Sequence, residues 1–161
     1  MNDLATPILE LQHQAHDLMY VGMDDAPFYS DDFTRLNKSV LTQSDALFAY
    51  KGHDSEEEAN LCLALLMGYN ATIYDYGDKE KKKQAVLDRC WEVLPLLLSS
   101  LLKVRLLTYC YGEVYEDALL EEAHAIINSW NADALTAEQS EIIDELQNME
   151  ENQYPFEVIG D

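Results

Sequence analysis

Apolar residues recur along the chain at spacings of three and four, and nowhere do apolar and polar positions alternate over a useful length, so the pattern predicts helices and no strands. Ile8, Leu11, Ala15, Leu18 and Met19 mark a first helix from about Pro7 to Val21, with Thr6 as its cap and Pro7 at the first helical position. The stretch from Gly22 to Tyr29, with its Gly, Pro and paired Asp, reads as a loop. Ser30 caps a second helix whose apolar positions Phe33, Leu36, Val40, Leu47 and Tyr50 carry it to a stop at Gly52. Ser55 with Glu58 forms a capping box that opens a third helix, and from Leu61 to Met67 that helix is apolar on every side. A segment apolar all round and too short for a membrane belongs in the middle of the protein.

Asp78 caps a fourth helix that Pro95 ends, and Ser99 or Ser100 caps a fifth carrying Leu101, Leu102, Val104, Leu106 and Leu107 to a stop at Gly112. A sixth helix, from about Tyr115 to Trp130, gathers Leu119, Leu120, Ala123, Ile126, Ile127 and Trp130 on one face. Thr136 and Gln139 form another capping box, after which Ile142, Ile143, Leu146 and Met149 point inward. The expected fold is a single all-α domain over residues 1–161, with about seven helices packed as antiparallel hairpins around a buried central helix and irregular tails at 1–6 and 151–161. Tyr109 to Trp130 is similar to one tetratricopeptide unit, but the period of about 34 residues such arrays need is missing.

Composition narrows the class. With 48% hydrophobic residues a chain of this length buries a core without metal or disulfides, and Cys62, Cys90 and Cys110, odd in number and set in apolar sequence, read as reduced core residues. No basic-then-apolar leader opens the chain, and Val93 to Leu102 falls short of the roughly 20 residues that cross a bilayer. A cytoplasmic protein without a membrane segment is expected. Charge changes the picture most. Against 31 Asp and Glu stand ten Lys and Arg, giving a net of −21, which opposes nucleic acid phosphates and anionic membranes and favours a basic partner. The last basic residue is Arg105, so everything after it is free of Lys and Arg. A solvated, solubilising surface is the plainer reading of that asymmetry. The sharper one is a contact surface in which tyrosines supply buried area beside carboxylates: Tyr111, Glu113, Tyr115, Glu116, Asp117, Glu121 and Glu122.

Catalytic signatures are scarce. Glu10 with His13 and Glu121 with His124 share the E-x-x-H spacing of di-metal carboxylate bundles, but Glu10, His13 and Glu121 lie opposite the apolar stripes of their helices, where no bundle interior could use them. His13 and His16 suit an adventitious ion at most, and Asp24, Asp25, Asp31 and Asp32 lack the spacing of a calcium loop. Phosphate loops, zinc-protease motifs, paired C-x-x-C and nucleophile elbows are absent. The run from Lys79 to Lys83 reads as a solvated helix face. The expectation is a binding protein with no cofactor, no metal and no catalytic residues.

Three long strings add a resemblance. LMYVGMDDAPFYSDDFTRLNKSVL from Leu18, EEEANLCLALLMGYNATIYDYGDKEKKKQAVLDRCWEVL from Glu56 and LLKVRLLTYCYGEVYEDALLEEAHAIINSW from Leu101 resemble the UpxZ family, over about Asp17 to Phe156. The resemblance implies an inhibitor of NusG-like UpxY antiterminators, which control capsular polysaccharide loci, and it supplies no catalytic or binding residues to carry over. The partner it implies is a NusG-like antiterminator, and the acidity of this chain adds the expectation that the partner's contact surface is basic. The alternatives are an acidic DNA-mimic or adaptor for another basic protein, a di-metal helical-bundle enzyme, and a purely structural or self-associating domain; the sequence leaves the oligomeric state open.

Overall fold

The computed structural model describes residues 3–20, 31–73 and 77–151, and the chain falls into two compact units, Met1–Leu96 and Leu97–Asp161. Among the described residues the secondary structure is helical throughout, with seven α-helices and one short 3-10 turn.

The first unit holds α1 (Ala5–Tyr20), α2 (Asp31–Phe48), α3 (Ser55–Ala71), α4 (Lys79–Val93) and the 3-10 turn Leu94–Leu96. Its centre is α3, which packs on α1, α2 and α4. Leu61 through Leu66 are fully buried and Met67 is nearly so, as a stretch with no polar side demands. Burial of each of these large side chains is worth about 1.5–3 kcal/mol. Gly68 marks where α1, α2 and α3 come closest, since a Cβ there would stand 2.1 Å from Ser44 Oγ and 3.3 Å from Leu11 Cδ1. The Ser44 hydroxyl is fixed in that gap by donating to the Val40 carbonyl at 2.8 Å.

Several helix ends differ from the sequence expectation by a residue or more, each for a visible reason. At α1 the Asp3 carboxylate accepts the Ala5 N–H at 3.0 Å, so Thr6 and Pro7 fall inside the helix instead of at its start. The expected Ser30 cap lies outside the described residues. α2 stops at Phe48 and not at Gly52, because Gly52 is needed elsewhere: a Cβ on it would meet Glu58 N at 2.2 Å. The cap of α3 is Asp54, which accepts the Glu57 N–H at 2.8 Å, while Glu57 in turn accepts the His53 N–H at 2.9 Å. The capping pair is thus Asp54 and Glu57, one residue before the expected Ser55 and Glu58, and Glu58 is released for the ion pair described below.

The second unit holds α5 (Leu101–Val114), α6 (Asp117–Asn128) and α7 (Ala137–Glu151), with α6 and α7 both packed on α5. Ser100 caps α5 by accepting the Lys103 N–H, and Thr136 and Gln139 exchange reciprocal hydrogen bonds of 3.0 and 2.9 Å at the start of α7. Gly112 does not stop α5. It lies inside the helix, where a Cβ would press on Met149 Sδ of α7 at 3.1 Å, and the stop falls at Tyr115.

Candidate partner interface

Tyr115 ends α5 in the left-handed conformation, φ 52° and ψ 39°, and donates its N–H to the Tyr111 carbonyl at 2.8 Å. Among the described residues it is the sole non-glycine with positive φ. That reversal turns the chain within two residues into Glu116, an extended cap, and Asp117, the first residue of α6. The acidic residues therefore begin at the positive end of a helix dipole, where a negative side chain is favourable. Ala123 and Ile126 are buried beneath α6, with Leu119, Leu120 and Ile127 half-buried beside them, which leaves Glu116, Asp117, Glu121 and Glu122 exposed.

The structure treats the seven expected contact residues differently. Tyr111 and Tyr115 stack edge to face, with ring centroids 5.3 Å apart and an interplanar angle of 75°. Tyr111 is only 1% exposed, so it supports the Tyr115 ring from below and does not itself meet solvent. Glu113 and Tyr115 are half-buried. Glu122 is not a free charge: its Oε2 takes the Lys103 Nζ at 2.6 Å, a lysine drawn from the preceding helix whose side chain is 10% exposed. Glu116, Asp117 and Glu121 remain as exposed carboxylates with no counter-ion among the described residues.

The members of the two E-x-x-H pairs are exposed or engaged separately. Glu10 accepts from Gln14 on the exposed flank of α1, His13 is exposed, and His124 pairs through Nε2 with Glu150 Oε1 of α7. No three metal-ligating side chains converge among the described residues.

Ion pairs also tie the helices of the first unit together. Glu58 and Arg89 form a two-point ion pair, Nε to Oε2 at 2.7 Å and Nη2 to Oε1 at 2.8 Å. Glu58 also accepts the Gly52 N–H at 2.8 Å, and Arg89 donates to the Tyr50 carbonyl at 2.9 Å, so the pair pins the segment between α2 and α3 to α4. Burial pushes the Glu58 carboxyl up, but the Arg89 and Gly52 hydrogen bonds and the charges of Arg89 and Lys51 together hold it below its ordinary value of 4.5. Lys82 overturns the expectation of a solvated basic face: it bridges Asp45 at 2.8 Å and Asp78 at 3.2 Å beside the Phe48 and Tyr69 rings. The hydrogen bond with Asp45 raises its affinity for a proton, while burial and a hydrogen bond to the same Asp45 raise that of Tyr69. These groups tie helices together. Apart from Asp78, four residues from Lys82, their partners are far along the chain, and spacing alone does not reveal them.

A model of the UpxZ family of transcription anti-terminator antagonists matches residues 8–112. The chain belongs to the UpxZ family. A solved structure similar to this UpxZ family member, the transcription anti-terminator antagonist UpxZ from Bacteroides uniformis ATCC 8492, is 59% identical, with a TM-score of 0.89 over 97% of each chain. No curated protein matches. The family match starts at Ile8, upstream of the Asp17 expected from the resemblance, and ends at Gly112, whereas likeness to the solved UpxZ runs through nearly the whole chain. The fold class and the regulatory role, antagonism in transcription antitermination, are those of the UpxZ family. Among the described residues of this member no helix is long and apolar enough to cross a membrane.

Proposed function

We propose that this protein binds a NusG-like antiterminator in the cytoplasm through the acidic start of α6, and by occupying it governs expression of a capsular polysaccharide locus. The observation that carries the reading is the set of three exposed carboxylates, Glu116, Asp117 and Glu121, left without counter-ions in a family of anti-terminator antagonists. A factor that engages RNA polymerase or nucleic acid presents basic surfaces. Such a surface would find here both complementary charge and, in the Tyr115 ring backed by Tyr111, an aromatic to bury. The inhibitor itself, at a net charge of −21, is unsuited to direct contact with nucleic acid. No cofactor and no catalytic residue enters the mechanism, which is occupancy.

Complementary charge of this kind accelerates encounter more than it deepens affinity. The test is stopped-flow association with the antiterminator across a salt series. It compares the natural chain with a variant carrying Glu116→Lys, Asp117→Lys and Glu121→Lys, keeping Glu122 because it holds Lys103. The natural chain should associate steeply more slowly as salt rises, and the variant should lose at least about tenfold in association rate at low salt while its helical circular dichroism persists. Salt-insensitive association, with the triple variant as fast as the natural chain, would discard the interface.

A further inference from the structure

Between α1 and the first turns of α3 lies a groove of about 450 Å³ within the first unit. Its floor is aliphatic, formed by Ile8 and by Leu9, which is 53% exposed although it is a leucine on a well-packed helix. Its rim on the α3 side is acidic, with Asp54 and Glu56 exposed, and no lysine or arginine lines it. Deeper in stands Gln12, 6% exposed, whose Nε2 donates to the Asn60 carbonyl at 3.0 Å. Its Oε1 takes no hydrogen bond among the described residues. No buried side-chain oxygen or nitrogen there lacks a partner, so this oxygen opens onto the groove it lines. The groove thus combines apolar area with acceptors: the Gln12 amide oxygen within and, at the edge, the exposed carboxylates of Glu56 and of Asp54, which also caps α3 through the Glu57 N–H.

We infer that this groove docks a segment of a partner protein that brings an aliphatic side chain together with a lysine or arginine. The aliphatic group covers Leu9 and Ile8, and the cation reaches Asp54 and Glu56. A bare acidic surface would take any cation. The exposed leucine and the open amide oxygen restrict the occupant to one that brings apolar area and a donor together. The site shares with the proposed function only that the partner is a protein, and it lies in the other unit from the α6 face.

The probe is a short amidated peptide with leucine and lysine at helical spacing, titrated into the ¹⁵N-labelled full-length chain. Two control peptides replace its lysines with glutamine or its leucines with serine. The backbone amides of Leu9, Gln12, Glu56 and Asn60 should shift together and saturably. Each control peptide should bind at least about tenfold more weakly, as should the Leu9→Asp and Glu56→Lys variants. The triple α6 variant should bind this peptide unchanged, so failure of the α6 interface and failure of the groove are read separately. Shifts spread over the acidic surface or centred on α6, equal binding by either control peptide, or no shift at millimolar peptide would each overturn the inference.

Discussion

Replacing Arg89 with alanine removes more than a charge. The guanidinium makes two contacts with Glu58 and one with the Tyr50 carbonyl, and both partners of the ion pair are largely covered, their side chains 13% and 17% exposed. The variant leaves a carboxylate in a place built for an ion pair, with the Gly52 N–H, the Cys62 thiol at 3.8 Å and the charge of Lys51 left to it. Breaking a buried pair from one side costs about 3–5 kcal/mol, and the partial exposure of Glu58 admits enough water to put the expectation at the lower end, near 3 kcal/mol. The pH dependence follows from the direction of the Glu58 shift. In the natural chain its folded value lies below 4.5, so the pair contributes fully above that value and its contribution is lost as pH falls through the lower folded one. In Arg89→Ala the Arg89 interactions that lower it are gone while burial, which raises it, remains, so the folded carboxyl takes up its proton at a higher pH than in the natural chain. The stability gap between the two chains should therefore be widest near neutral pH and should narrow as the solution is taken below about pH 4.5. Urea unfolding followed by circular dichroism near neutrality and near pH 4 measures both. A deficit under about 1 kcal/mol, or one that does not change with pH, would refute the reasoning.

Gly68→Ala should be destabilising by about 1–3 kcal/mol despite the better helix propensity of alanine, because the new methyl meets Ser44 Oγ; adding Ser44→Ala should reverse the sign, and thermal melts of the single and double variants decide it. Thr136→Ala removes the acceptor of the Gln139 N–H and should cost about 1 kcal/mol, read as faster amide exchange in the first turn of α7 with little change elsewhere.

Helices declare themselves in a sequence through periodicity, and here the apolar run of α3 and the Thr136–Gln139 box are found where the pattern puts them. Their ends depend on competition among neighbours that pattern alone does not rank. Asp54 and Ser55 are both competent caps, and Asp54 prevails in a geometry that frees Glu58 to reach Arg89, 31 positions away. Gly112 carries the signal of a helix stop, yet it serves close packing against Met149, and a tyrosine takes the strained turn instead. The same limit applies to the interface. The charge asymmetry and the tyrosines are visible in the composition, but the withdrawal of Tyr111 beneath Tyr115 and the neutralisation of Glu122 by Lys103 are tertiary facts. The groove on α1 left one trace in sequence, a leucine beside Glu10 and off the buried stripe, and a lone exposed leucine is too common to single out.

The three thiols give the molecule its own reporters of opening. Cys62 and Cys90 are sealed inside the first unit and Cys110 inside the second, all in no disulfide and fully covered. An alkylating reagent reaches each sulfur only when its surroundings come apart, so the labelling speed of a given cysteine clocks the unfolding of the neighbourhood that hides it. Matched speeds at Cys62 and Cys110 would mean that the two halves breathe as one body, and unequal speeds that one loosens while its companion stays shut.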